Sequence, residues 1–327
     1  MKSFSRKNSL RSRSLQIETL ENRELLSVSP ADFDAIKAEN ADLNLGNEVD
    51  YNIIEITAAD LSETRLNNAI RAAGVTTAND LIVLRTTAEQ HTIKLSGTEI
   101  AIDIVSGYGR VTIVGFGTDK LTLDADNKSR VLNITSSTAT ALANLNITGG
   151  KAVGGGGIYS SSSLTITNST ISGNTATGYV TSDGDTLTGY GGGIYCYAGG
   201  TITNSTVSGN TAKRNGGGIY YNSTGGTITG KTVISGNQAE LNGGGIYYSS
   251  TGGTITGATV SGNTAKQNGG GMWGNGTVTH STVSNNTATG NGAGIYCRGD
   301  SSIKNSAVTD NIGEGIYVAS GTATITN

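Results

Sequence analysis

One pattern limits what this chain can fold into: a short motif that returns at a nearly fixed interval through its second half. Gly-Gly-Gly-Ile-Tyr or a close variant ends at Tyr159, Tyr195, Tyr220, Tyr247, Trp273, Tyr296 and Tyr317. A second signpost, Ser-Gly-Asn or a variant, places Asn at 174, 210, 237, 263, 286 and 311. From Asn210 to Ile219, Asn237 to Ile246, Asn263 to Met272 and Asn286 to Ile295 the interval is always 9 residues, so most repeats run 23 to 27 residues. Between signposts the chain alternates apolar and small polar residues, as in Leu164-Thr165-Ile166-Thr167, which is strand chemistry with period 2. A leucine-rich repeat has a similar period but needs several Leu per unit, and from Ile158 onward only Leu164, Leu187 and Leu241 occur. Propeller blades need about 40 residues each.

The remaining architecture is an all-β right-handed parallel β-helix solenoid of about nine coils. Equivalent residues of successive coils then lie about 4.8 Å apart and form columns. Asn174, Asn210, Asn237, Asn263 and Asn286 form one expected amide ladder, and Asn215, Asn242, Asn268 and Asn291 a second. The Gly triplets precede strands, whereas a nucleotide fingerprint opens a helix, so they are read as structural.

The front of the chain reads differently. Residues 1–28 carry six basic and three acidic side chains without the apolar run of an ordinary signal peptide, and it is the resemblance of residues 20–27 given below that implies an export or sorting segment. Residues 29–59 are acidic and weakly patterned and are read as a linker. Residues 60–90 hold a short capping helix and a strand. Asp60 and Glu63 start the helix, Leu66, Ala69, Ile70 and Ala73 give it an apolar stripe, and Leu81-Ile82-Val83-Leu84 follows as a buried strand. The β-helix proper is 91–327, with regular repeats over 150–327. The last coil, Thr322 to Asn327, aligns with the middle of earlier coils, so it is expected to be incomplete, its edge calling for a further domain or a partner.

Leu20-Glu21-Asn22-Arg23-Glu24-Leu25-Leu26-Ser27 resembles the sorting motif at the N-terminus of planctomycete extracellular proteins. The repeats, with Gly-Gly-x-Ile-Tyr and Ser205-Thr206-Val207-Ser208-Gly209-Asn210, resemble those of chlamydial polymorphic outer membrane proteins. The resemblances imply an extracellular or cell-surface location and adhesion as the activity. The C-terminal translocating barrel of that family does not follow.

Net charge of −3 gives no reason to expect nucleic acid, and no apolar run is long enough to span a membrane. No catalytic residue, metal site or cofactor is assigned. The acids of the regular repeats never fall at equivalent points of neighbouring coils, so the paired carboxylates of glycoside hydrolysis are not visible. A polysaccharide-active enzyme remains the alternative, its site drawn from Asp103, Asp119, Asp124 and Asp126 in the irregular coils. Cys196 and Cys297 sit four coils apart, about 19 Å, beyond disulfide reach, and are expected as free thiols. Two features stand out for binding. The column Tyr159, Tyr195, Tyr220, Tyr247, Trp273, Tyr296 and Tyr317 points outward by period 2, and it either stacks on itself and stiffens the sheet or offers a platform to a cell-surface polysaccharide or another surface protein. An 11-residue insertion between Asn174 and Ile194 carries Tyr179, Asp183, Asp185 and Tyr190.

Overall fold

In the computed structural model, which describes residues 28–179, 181–182, 187–223, 225–250 and 252–327, successive repeats stack as turns of a right-handed parallel β-helix. A regular coil contributes one strand to each of four sheets. For one coil these are Ile194–Cys196, Gly200–Thr203, Thr206–Ser208 and Thr211–Ala212. The sheets are eleven, nine, nine and six strands deep, and every pairing is parallel and in register, as in Ile194↔Ile219 and Val207↔Ile234. Period 2 decides the interior: Ile194, Ile202, Val207 and Ala212 point in and are at most 2% exposed.

Corners are set by backbone conformation. Asn168, Asn204, His280 and Asn305 all adopt φ between 47° and 50° after the eleven-stranded sheet, the left-handed region where Asn is tolerated. His280 is a turn residue of this column, as its alignment with Asn168 and Asn204 suggests. At the Gly triplets the coils approach more closely than a side chain allows: a Cβ on Gly217 would lie 2.4 Å from the carbonyl oxygens of both Gln238 and Gly244.

The first Asn ladder runs unbroken through the solenoid wall. The Nδ2 of Asn174 donates to Oδ1 of Asn210 (3.0 Å), Asn210 to Asn237, Asn237 to Asn263 and Asn263 to Asn286 (2.9 Å each), and Asn286 to Asn311 (3.0 Å). The other amide proton goes to a strand carbonyl, Val207 in the case of Asn237. Asn311 extends the column beyond the members expected from sequence. The second ladder runs in the opposite direction: Asn242 donates back to Asn215 (3.3 Å) and Asn268 to Asn242 (3.1 Å). The side-chain dipoles of the two columns therefore oppose each other.

The N-terminal cap forms as a helix, α2 (Glu63–Ala73), with Leu66, Ala69, Ile70 and Ala73 buried in the same core as the first coils. Its N-cap is Ser62, which accepts from the Arg65 N–H, rather than Asp60. Glu63 does not fold back on the helix start. It accepts from the Ser96 N–H (2.7 Å) and the Thr98 hydroxyl (2.9 Å), and these bonds hold its carboxyl below its ordinary value although burial pushes it up.

Residues 29–59 are not a linker. They hold helix α1 (Pro30–Glu39), capped by Ser29, and strand β1 (Tyr51–Ile56), which pairs with β2 (Asn79–Thr86) and starts the eleven-stranded sheet. The physical reason lies in the outward column Val83, Val114, Ala143, Thr167, Thr203, Thr229, which is apolar in the early coils and threonine afterwards. The apolar part needs a cover. Phe33, Ile36, Leu43 and Leu45 supply it, packing on Leu81, Val83, Val114, Ala141 and Ala143 in a second core outside the solenoid. Polar contacts finish the strap where the column turns to threonine: Asn168 donates to Asn40 (3.0 Å) and Asn204 to Asp42 (3.0 Å). Arg85 ties the strap to the sheet through Asp32 (2.7 Å) and Glu55, and its hydrogen bond holds the Asp32 carboxyl below its ordinary value.

Candidate functional site

The strands Ile158–Ser160 through Ile316–Val318 carry the aromatic column on their outer face. Six successive pairs stack, with centroids at 5.2, 5.1, 5.0, 4.2, 5.9 and 5.2 Å from Tyr159 to Tyr317. From Tyr195 to Tyr296 the rings are within 13° of parallel. The spacing follows from the coil rise of about 4.8 Å, and seven rings extend about 29 Å along the axis.

Stacking changes what the column offers. Each inner ring has both faces covered by its neighbours, so Tyr220, Tyr247 and Trp273 are only 6%, 9% and 8% exposed rather than an open platform. A sugar ring cannot lie flat on them; the column shows edges and hydroxyls. Burial, reinforced by the neighbouring phenols, pushes the Tyr247 hydroxyl up to about 12, and burial likewise raises those of Tyr195 and Tyr220. The hydroxyls remain neutral donors and acceptors at physiological pH.

The insertion joins this face. Tyr190 occupies the position held by Asn215 in the next coil, and its ring stacks on Tyr220 at 4.7 Å, widening the ladder sideways. The root of the insertion closes through Leu187 N–H to the Tyr179 carbonyl (2.9 Å) and Tyr179 N–H to the Thr188 hydroxyl (2.9 Å), which leaves Tyr179 59% exposed. Asp183 and Asp185 lie outside the described residues. The two binding candidates read separately from sequence thus meet at Tyr190 and Tyr220.

Three arginines sit over the rings: Arg130 over Tyr159 (5.4 Å), Arg214 over Tyr190 (5.6 Å) and Arg298 over Trp273 (5.4 Å). Arg130 is tied to Glu99 (2.6 Å) and to the carbonyls of Gly154 and Gly155, and serves the structure. Arg214 also reaches the Leu187 carbonyl (3.3 Å), while Arg298 is exposed. The charges of Arg214 and Arg298 act on the Tyr247 hydroxyl against its upward shift. Sequence reasoning missed these arginines because they come from different points of the coil, and only stacking brings them to one face.

A second aromatic pair was also missed. Tyr221 and Tyr248 point inward, stack at 5.3 Å and are 1% exposed, their hydroxyls without a partner among the described residues. Gly226 and Gly253 make the room, since a Cβ there would lie 2.0 and 2.3 Å from the rings. Cys196 and Cys297 occupy the same inner column, and both are free and buried. Burial pushes the Cys196 thiol up to about 12, an unreactive thiol.

Of the early-coil acids only Asp124 and Asp126 adjoin, the Asp126 N–H donating to Oδ1 of Asp124 (2.9 Å), while Asp103 and Asp119 come from other turns. Asp103 follows Ile100–Ile102, Asp119 precedes Leu121–Asp124, and Asp126 pairs with Lys128 (2.8 Å). Lys128 holds the Asp126 carboxyl below its ordinary value, the wrong direction for a general acid.

Comparison with known proteins adds a partial match. The family described as periplasmic copper-binding protein (NosD) matches residues 182–327, the regular coils from the insertion onward. The structure of rice weevil pectin methyl esterase is similar with a TM-score of 0.37 and 13% identity, covering 90% of this chain and 96% of that one. No curated protein matches the chain. No helix among the described residues is long and apolar enough to cross a membrane.

Proposed function

We propose that this protein is an exported, non-catalytic β-helix module, secreted or displayed at the cell surface, that adheres to an extended acidic polysaccharide along its aromatic face. The observation carrying this reading is the row of phenol edges with Arg214 and Arg298 beside it, running along one side of a rigid solenoid. Neutral hydroxyls match sugar hydroxyls, guanidinium groups match uronate carboxylates, and a row about 29 Å long matches a polymer better than a small molecule. The basic N-terminal segment with its sorting-like motif and the periplasmic family matched by residues 182–327 support export.

The matched family's description also names copper, and the donors of this chain do not suit such a centre. Within the matched span Cys196, Cys297 and Met272 lie inside the core, and the coils bearing Tyr221, Tyr248 and Gly274 separate the two thiols. His280 lies outside, on a turn, with its Nε2 against the Asn305 amide (3.2 Å). Nothing among the described residues brings these donors together.

The test is binding of the purified chain to immobilised polygalacturonate and to a glycan array, compared with Arg214→Ala/Arg298→Ala. Both arginines lie over the stack, not within it, so the variant keeps the ring ladder and the coils, although loss of the Arg214 bond to the Leu187 carbonyl loosens the root of the insertion, and it loses about tenfold or more in affinity. Binding by the wild type that the double substitution leaves unchanged contradicts the reading.

A further inference from the structure

The corner between the aromatic sheet and the eleven-stranded sheet is cut short in one coil. The chain takes seven residues from Tyr247 to Thr254 and six from Tyr296 to Ser302, but only four from Trp273 to Thr277. Both ends of these segments are nevertheless in register, Tyr247↔Trp273↔Tyr296 and Thr254↔Thr277↔Ser302. A short corner between two longer ones leaves a notch. It is an open groove rather than an enclosed cavity, with a volume of about 510 Å3.

The notch is lined by groups that recognise polyols. Asn275 and Gly276 form the shortened corner at its base, Thr277, Ser302 and Thr324 bring hydroxyls from three successive coils, and Asp300 brings the carboxylate. Oδ1 of Asp300 accepts from the Thr322 N–H (2.9 Å), which fixes the carboxylate at the rim. The Ser302 hydroxyl oxygen is buried and has no partner among the described residues. Glycines let the coils come together at this corner: a Cβ on Gly252 would lie 2.2 Å from the Asn275 carbonyl oxygen, and one on Gly276 2.3 Å from that of Gly253. No hydrocarbon larger than a threonine methyl lines the groove. The stacked Trp273 and exposed Arg298 each lie two residues before a lining group, so the notch adjoins the proposed polymer face.

We infer that this notch is a subsite for a single neutral sugar residue, with Asp300 and Asn275 paired to neighbouring hydroxyls of one ring. The inference rests on the glycan-binding reading above and narrows it to a side group or chain end. With Oδ1 of Asp300 held by the Thr322 N–H, its Oδ2 accepts from one sugar hydroxyl in a charge-assisted bond, the Asn275 amide pairs with the next, and hydroxyl side chains complete the pairing without adding charge.

Saturation-transfer NMR with the methyl glycosides of glucose, galactose and mannose tests it on the full chain. At least one glycoside receives saturation from the wild type, Asp300→Asn weakens that binding about tenfold, and Thr277→Trp, which fills the notch, removes it. Asp300→Asn is isosteric, so it stays informative if Thr277→Trp does not fold. No transfer to any of the three, or transfer that both variants leave unchanged, overturns the inference. So does a calcium-dependent stabilisation that Asp300→Asn abolishes without any sugar response, which makes the notch a cation site. Polygalacturonate binding that persists through these failures leaves the polymer-face reading intact, whereas loss of polymer binding in Arg214→Ala/Arg298→Ala leaves the glycoside response of the notch unaffected.

Discussion

At the scale of single residues, the chain repeats one solution to the problem of burying polar atoms. Asn237 is fully buried, with both amide protons and its side-chain oxygen satisfied by Val207, Asn263 and Asn210. Asn237→Ala removes all of these and leaves buried partners unpaired, a predicted loss of about 3 kcal/mol in chemical denaturation. Asn291, at the exposed end of the opposite ladder, donates only its backbone N–H to Asn268, which an alanine retains. Asn291→Ala is therefore expected to change stability by under about 0.5 kcal/mol. The buried phenols give a second prediction. A tyrosine whose folded value lies above its unfolded one contributes stability in full below the unfolded value of about 10, and that stability is lost as pH rises through the folded one. With Tyr247 pushed up to about 12 and Tyr195, Tyr220, Tyr221 and Tyr248 also raised, the part of the tyrosinate absorbance that belongs to these five should develop late, in step with loss of β-sheet circular dichroism between about pH 10 and 12. Complete ionisation of all 13 tyrosines near pH 10 with the fold intact, leaving no late fraction, contradicts the stacked ladder.

At the scale of elements, period 2 and the Gly and Asn signposts make the regular coils legible in the amino-acid sequence, because each coil repeats one local rule. The strap was not legible, although its signals were present. Ser29-Pro30 is a helix start, and the unbroken apolar run Leu81 to Leu84 says that both faces of β2 are covered. What sequence did not supply was the partner, since α1 and the early coils meet only after the chain turns back on the sheet. Tyr221 and Tyr248 were hidden for a related reason: the second Tyr of Ile-Tyr-Tyr falls on the inward phase, but only Gly226, just before the following strand, and Gly253, at the start of its own, make room for it. The strap account predicts that Phe33→Ala, at a site only 3% exposed, costs about 3 kcal/mol or more. Hydrogen exchange should then show faster opening of α1 and β1 while the coils beyond Thr229 keep their protection. Uniform acceleration through the whole solenoid contradicts a cover that acts locally.

At the scale of the molecule, parallel stacking turns residues distant in sequence into surface rows. Tyr190, Arg214, Tyr220, Trp273 and Arg298 come from an insertion, two coil ends and two strands, yet they share one face, and a corner three residues shorter than the Tyr247–Thr254 one opens a groove beside them. All of this depends on every repeat advancing the chain by one coil, whatever its length. The direct measurement is a series of pulsed-EPR distances in a Cys196→Ser/Cys297→Ser background, from a spin label at Ala307→Cys to labels at Val233→Cys, Thr206→Cys or Thr170→Cys. These sites lie in one register column of a nine-stranded sheet. The mean distance should grow by about 4.8 Å per coil, with the same step for the 36 residues between Thr170 and Thr206 as for the 27 between Thr206 and Val233. Distances that follow the number of intervening residues instead would contradict the stacked coil and, with it, the aromatic face and the notch.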